Sequence, residues 1–222
     1  MSFSVYLVRH GQTYLNLYNR MQGWCDSPLT QKGVADAHLA GKRLANKHFD
    51  YAFHSDTMRT KRTCEYLLAE NLATDASLKP KELRNFREQS FGYFEGSDAS
   101  QAWTMIGAKH NCHSFKDVVN NYSLVETRDF MKEADPFDDA ENDAEFWSRV
   151  KIGFDYLRDK IPDGKNVLVV SHAMTIRSIA NLFDEKTPLF PDPANGSVTK
   201  LTVDGHNFTV DYYNQTGEDF DY

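Results

Sequence analysis

The chain has 222 residues, of which 41% are hydrophobic and 26% charged, with a formal net charge of −7. These values place it among ordinary globular α/β-sized chains able to bury a sizeable core, and exclude a disordered polymer. The acidic balance argues against a general nucleic-acid or anionic-membrane binder, since either gains from a basic surface.

Cys25, Cys64 and Cys112 lie far apart with no Cys-x-x-Cys pair, so neither a zinc knuckle nor a dithiol redox site is expected. An odd cysteine count without a secretory signal fits free thiols in a reducing cytoplasm. No run approaches the ~18 apolar residues of a membrane span.

The first readable element is Val5-Tyr6-Leu7-Val8, a short apolar run broken by Arg9, His10 and Gly11. A continuous apolar run predicts a strand buried on both faces. Tyr14–Ser27 reads as polar and irregular. Thr30 is an expected N-cap, and Val34, Ala37, Gly41 and Leu44 recur at helical spacing to about Asn46. Tyr51-Ala52-Phe53 predict a second strand. Ser55 or Asp56 is expected to cap the next helix, with Met58, Cys64, Leu67 and Leu68 on one side and Arg59 in its first turn.

Ser77–Gly96 is less regular. Ser97–Glu145, with scattered aromatics and an acidic stretch over Asp135–Glu145, reads as an inserted helical cap. Phe146, Val150, Phe154, Leu157 and Ile161 predict a strongly amphipathic helix ended by Pro162-Asp163-Gly164. Val167–Val170 is the cleanest buried strand, followed by Ser171-His172-Ala173 and a helix carrying Ile176, Ile179, Ala180 and Phe183. Pro188, Pro191 and Pro193 mark a loop. A hairpin turning at Asp204-Gly205 closes the pattern, and the acidic tail Gly217–Tyr222 is expected to be loose. The alternation predicts an α/β fold: a three-layer sandwich with a mostly parallel central sheet flanked by helices. Residues 1–222 form one domain in this reading, with the cap insertion at about 97–145.

Three strand–helix junctions share one design: Arg9-His10-Gly11, His54-Ser55 with Arg59 after it, and Ser171-His172-Ala173. In a parallel sheet such ends lie along one edge, where ligands bind. That edge would gather guanidinium groups, imidazoles and helix N-termini, all of which favour phosphate. A neutral imidazole there can accept a phosphoryl group, provided its other nitrogen is held by an acceptor. A poor leaving alkoxide then needs a proton, and Glu88 is the candidate acid. Each residue alone also has a plainer reading: His172 as a core histidine, Arg59 as a solvated helix residue, Glu88 as a surface carboxylate. His54 can pack beside the pocket or line it. Glu95 reads as a second acid or, preferably, a structural hydrogen-bonding group.

Leu7-Val8-Arg9-His10-Gly11-Gln12-Thr13, followed by Asn16, resembles the signature of the histidine phosphatase superfamily, which includes the cofactor-dependent phosphoglycerate mutases. The resemblance extends through Gly23–Thr30, Ser55–Thr60, Arg87-Glu88 with Phe91-Gly92 and Glu95-Gly96, and Val170-Ser171-His172. Only the stretch from Ser97 to Ala140 is not covered. The resemblance implies that His10 becomes phosphohistidine and that Arg9, Arg59 and His172 hold the phosphoryl oxygens. It further implies that Glu88 donates the proton and then readies water, and that Asn16, Gln22 and Gly23 line the pocket. It implies no metal and no cofactor. Ala173 departs from the glycine common in the family, and its methyl group is expected to tune phosphate binding, its N–H remaining a donor.

The expected activity is phosphomonoester hydrolysis on a small phosphorylated metabolite. A mutase-type transfer is the alternative, and a non-catalytic phospholigand-binding module is the alternative of another class. The acidic insertion and the absence of Lys or Arg beyond Lys200 favour the phosphatase, because a mutase needs further cations for the substrate carboxylate. Asn195-Gly196-Ser197-Val198 also resembles the phosphatase members. The sequence leaves monomer and homodimer open.

Overall fold

The computed structural model describes residues 2–222. Strand β1 (Ser2–Arg9) is followed by a single helical turn, α1 (Tyr14–Leu17), then α2 (Gln31–Arg43), β2 (Tyr51–His54), α3 (Met58–Glu70) and the two-residue β3 (Lys81–Glu82). Helices α4 (Ala99–Gly107), α5 (Phe115–Asn121), α6 (Leu124–Ala134) and α7 (Asp143–Lys160) lead to β4 (Asn166–Ser171). Helix α8 (Ala173–Phe183) and the hairpin β5 (Val198–Asp204) and β6 (Asn207–Gln215) complete the chain.

The sheet order is β3-β2-β4-β1-β5-β6. The first four strands run parallel to one another, and the β5–β6 hairpin is added antiparallel at the edge of β1. The expected mostly parallel sheet is therefore present. Side-chain alternation splits the core. Phe3, Val5, Leu7, Val167 and Val169 face Phe146, Val150, Phe154 and Leu157 of α7. Tyr6, Val8, Leu168 and Val170 pack in the other layer with Leu44 after α2 and Cys64 and Leu67 of α3. Val167, Leu168, Val169 and Val170 are fully buried, and each contributes up to roughly 1.5–3 kcal/mol of burial free energy.

Thr30 caps α2 as expected, its side chain accepting from the Gly33 N–H. Several local expectations are corrected. Tyr14–Leu17 is helical because Thr13 and Asn16 form a reciprocal cap. The N-cap of α3 is Thr57, not Ser55 or Asp56; Ser55 hydrogen-bonds His172, and Asp56 pairs with Arg87. Met58 faces solvent rather than the apolar side of α3. Helix α7 starts at Asp143, capped by Asn142 and Glu145, so the helical insertion ends before residue 145. The tail is not loose at its end: Tyr222 is buried, and its hydroxyl donates to the Gly217 carbonyl.

Helices α4, α5 and α6 build their own apolar cluster around Trp103, Ile106, Val118, Leu124 and Met131. Met21, Phe91 and Phe94 from the sheet-edge loops, and Met174 from the first turn of α8, join that cluster and seat the helices over the strand ends. No helix among the described residues is long and apolar enough to cross a membrane.

Candidate active site

Strand register brings the two key histidines together. Arg9 pairs with Ser171 across β1 and β4, so His10 and His172 leave neighbouring strands side by side. The His10 N–H donates to the Ser171 carbonyl at 3.1 Å, and the two imidazoles meet edge to face with centroids 5.2 Å apart. Gly11 lets this turn pass α2 closely, since a Cβ there would lie 2.0 Å from the Gly33 carbonyl oxygen.

His10 Nδ1 lies 2.8 Å from the Gly11 carbonyl oxygen. A carbonyl only accepts, so Nδ1 carries the proton and Nε2 keeps its lone pair. Burial, then the Arg59 and Arg9 guanidinium groups, hold the His10 pKa well below its ordinary value. The imidazole is therefore neutral near pH 7, the form that acts as a nucleophile.

His172 has the opposite tautomer. Arg59 Nη2 donates to its Nδ1 at 3.0 Å, leaving Nε2–H to donate to Ser55 Oγ at 2.8 Å. Burial first, then Arg59 and His10, depress its pKa well below the ordinary value. Arg59 is buried at the start of α3. Its Nη atoms also donate to the Gly23 carbonyl at 2.6 Å, the Cys25 carbonyl at 2.7 Å and Asp26 Oδ1 at 3.0 Å.

Glu88 lies at the N-terminus of α8. Its carboxylate accepts from the Met174 N–H at 3.0 Å, the Thr175 N–H at 2.9 Å and its own neighbour Gln89 at 3.1 Å. Burial nevertheless dominates and raises its pKa above the usual carboxylate value. A carboxyl with a raised pKa keeps its proton to higher pH than an ordinary one, which suits a donor to a leaving alkoxide.

Arg9, His10, Asn16, Gln22, Glu88 and Ala173 all line one cavity of about 570 Å³. Buried Nε atoms of Arg9 and Arg59, and Nε2 of Gln22, donate to no acceptor among the described residues. Buried donors are almost always paired, and two of these orphans, on Arg9 and Gln22, belong to residues that line the cavity with His10. Arg59 and His172 lie behind the cavity wall rather than in it. Gly23 does not line the cavity either; its carbonyl holds Arg59, and a Cβ there would lie 2.2 Å from the Gln89 carbonyl oxygen.

His54 is outside this cavity and borders a separate pocket with Lys61 and Pro80. Glu95 proves structural: its carboxylate accepts from the N–H groups of Gly23, Trp24, Cys25 and Phe91. Among the described residues no group of His, Cys, Asp and Glu is arranged to hold a metal ion.

Some contributors lay beyond the sequence pattern. Arg149 donates to the carbonyls of Asn85, Arg87 and Glu88 and pairs with Glu141, fixing the backbone that presents the Glu88 acid. Asn195 Nδ2 donates to the His10 carbonyl at 2.9 Å. Within the acidic stretch Asp135 is buried and organises Tyr93, Phe137, Asp139 and Ala140 by accepting their N–H groups. The expectation of few cations beyond the phosphate place needs amendment, because Arg20 and Lys116 also line the cavity. Arg20 stands between the expected pocket residues Asn16 and Gln22, whereas Lys116 falls in the stretch the motifs do not cover.

A neutral, oriented imidazole near two guanidinium groups, with a raised-pKa carboxyl on the same cavity, thus stands at the strand ends of an α/β sandwich. Residues 5–216 match the family model of the histidine phosphatase superfamily (branch 1), and the chain belongs to that superfamily. It is similar to the 2,3-bisphosphoglycerate-dependent phosphoglycerate mutase 2 of Lactiplantibacillus plantarum, 30% identical over 195 residues covering 81% of this chain and 83% of that protein. The crystal structure of phosphoglycerate mutase from Bacillus anthracis str. Sterne superposes with a TM-score of 0.90 at 32% identity, covering 98% of this chain and 95% of that one. A putative alpha-ribazole-5'-P phosphatase from Escherichia coli shares the fold, with a TM-score of 0.68 at 20% identity, covering 96% of this chain and 97% of that one.

Proposed function

We propose that the protein is a phosphatase that hydrolyses small phosphomonoesters through a phosphohistidine on His10. The observation that carries this reading is the His10 imidazole, neutral and tied through Nδ1 to the Gly11 carbonyl, between Arg9 and Arg59.

In the first step the His10 Nε2 lone pair forms a bond to phosphorus as the ester P–O bond breaks. Glu88 gives its proton to the departing oxygen. Arg9 within the cavity, and Arg59 and His172 from behind its wall, offset the charge spread over the phosphoryl oxygens. A dianion beside His172 raises that imidazole's pKa and favours its protonated form. In the second step ionised Glu88 takes a proton from water, whose oxygen attacks phosphorus and releases His10 and phosphate.

The aromatic and thioether wall of Phe91, Trp103, Phe115 and Met174 supports an acceptor of water rather than a second charged sugar acid. Helices α4–α6 act as the cap that selects the ester, within one 222-residue unit. The three unpaired thiols fit a cytoplasmic location.

A mutase is the second reading, favoured by the name and extent of the Lactiplantibacillus plantarum relative and by Arg20 and Lys116 at the cavity. Hydrolysis of a chromogenic aryl phosphate, with His10→Ala as control, tests the nucleophile; equal rates in both proteins would remove His10 from the mechanism. Primer-dependent isomerisation of 3-phosphoglycerate faster than its hydrolysis would replace the phosphatase by the mutase.

A further inference from the structure

Arg177 projects from α8, five residues after His172, and its side chain is wholly buried. Its only carboxylate partner among the described residues is Asp192, in the loop between α8 and β5. Its other contacts carry no charge: Nη1 lies 3.4 Å from Met174 Sδ, the guanidinium sits 4.9 Å from the Phe115 ring centroid and near the Tyr213 hydroxyl, and Nε donates to no protein acceptor. A buried guanidinium held this way depends on its one counter-ion.

The pair is oriented. Asp192 lines the cavity that His10, Arg9 and Glu88 share, whereas Arg177 does not. The Asp192 side chain is half exposed, and that of Arg177 is not exposed at all. The cavity therefore meets the negative end of the pair. Asp192 is also close to the phosphate place, since the carbonyl of the next residue, Pro193, accepts from Arg9 Nη1 at 2.5 Å. Asp192 is the first carboxylate acting on the Arg9 guanidinium, ahead of Glu88.

We propose that Asp192 is a specificity-determining residue: it covers Arg177 and presents a carboxylate to the cavity, so that esters with a second anion close to the phosphoryl group are rejected. This rests on the phosphoryl-binding reading of the same cavity. A carboxylate one or two carbons from phosphorus meets Asp192 and finds Arg177 already neutralised. An anion further away, at the mouth, meets Arg20 and Lys116 instead, so the rejection concerns the inner part of the cavity.

The test is binding, independent of turnover. Calorimetry compares ethylphosphonate with phosphonoacetate, which carries a carboxylate where the other has a methyl group. The wild-type protein is expected to favour ethylphosphonate by about tenfold, the scale of like-charge juxtaposition at a partly wet site. Asp192→Asn removes the negative charge, leaves Arg177 without a counter-ion, and should reverse the preference. Arg177→Met/Asp192→Asn removes both charges, folds without an orphaned cation, and should bring the ratio near unity. A ratio unchanged in both variants, with both ligands still binding, overturns the proposal alone. A reversal that survives in the double variant overturns the role of Arg177. Failure of ethylphosphonate to bind the wild-type protein overturns the phosphoryl site itself and this inference with it.

Discussion

Replacing Glu88 by Gln separates its role as an acid from its role as a hydrogen-bond acceptor. Both carboxylate oxygens accept N–H donors: Oε2 from Met174, and Oε1 from Thr175 and Gln89. A glutamine amide must turn one NH2 toward such a donor, so the variant should lose about 1–3 kcal/mol of stability. Its catalytic cost depends on the leaving group. For an alkyl phosphate, loss of the general acid should lower kcat/KM by about 10²–10⁴-fold, or roughly 2.7–5.4 kcal/mol of barrier. A nitrophenolate leaves without a proton, so its burst in the first turnover should slow by less than about tenfold. The sign of the pH effect follows from the raised pKa of Glu88. Its protonated form persists above the usual carboxylate range, so alkyl phosphate turnover is full below that pKa and declines as pH rises through it. The Gln variant should lack that decline. Stopped-flow and steady-state rates on the two ester classes provide the assay. Equal losses on both classes, with the pH limb intact, would refute Glu88 as proton donor.

Three further outcomes are expected. His10 and His172 both have pKa values held well below the ordinary 6.5, so the unfolded chain takes up protons that the native state does not, and stability is full above that value and falls as pH drops below it. The two together contribute at most about 2.7 kcal/mol per pH unit, and urea titrations of His10→Gln/His172→Gln should show a slope shallower by up to that amount. Gly11→Ala places a Cβ 2.0 Å from the Gly33 carbonyl oxygen; thermal unfolding should report a loss of about 1–3 kcal/mol, together with a fall in activity as His10 shifts. The Cys25 thiol is pushed up to about 12 by burial and by Glu95, so a thiol reagent at pH 8 should leave it unmodified in the native protein and label it in urea; rapid native labelling on the peptide containing Cys25 would contradict that environment.

Much of this arrangement is legible in the sequence because its signals are local. Val5–Val8 and Val167–Val170 are continuous apolar runs, and both are central strands buried on both faces. The residues that end them, His10 and His172, follow directly from the register of β1 against β4. Other features depend on partners distant in the chain. The capping expectation for Ser55 and Asp56 failed because each side chain has a stronger partner, at His172 and Arg87. Nothing in the composition of the acidic stretch shows that Asp135 and Glu141 bond the loop carrying Glu88. Arg177 and Asp192 resemble ordinary helix and loop charges until the fold buries one against the other.

The central claim is most directly tested by alkaline quench of the enzyme during turnover of an aryl phosphate, followed by mass spectrometry and phosphorus NMR of the trapped protein kept at alkaline pH. One phosphoryl group on Nε2 of His10, absent from His10→Ala, is the predicted result. A protein that turns over ester yet carries no phosphohistidine, or carries it on His172, would contradict the account.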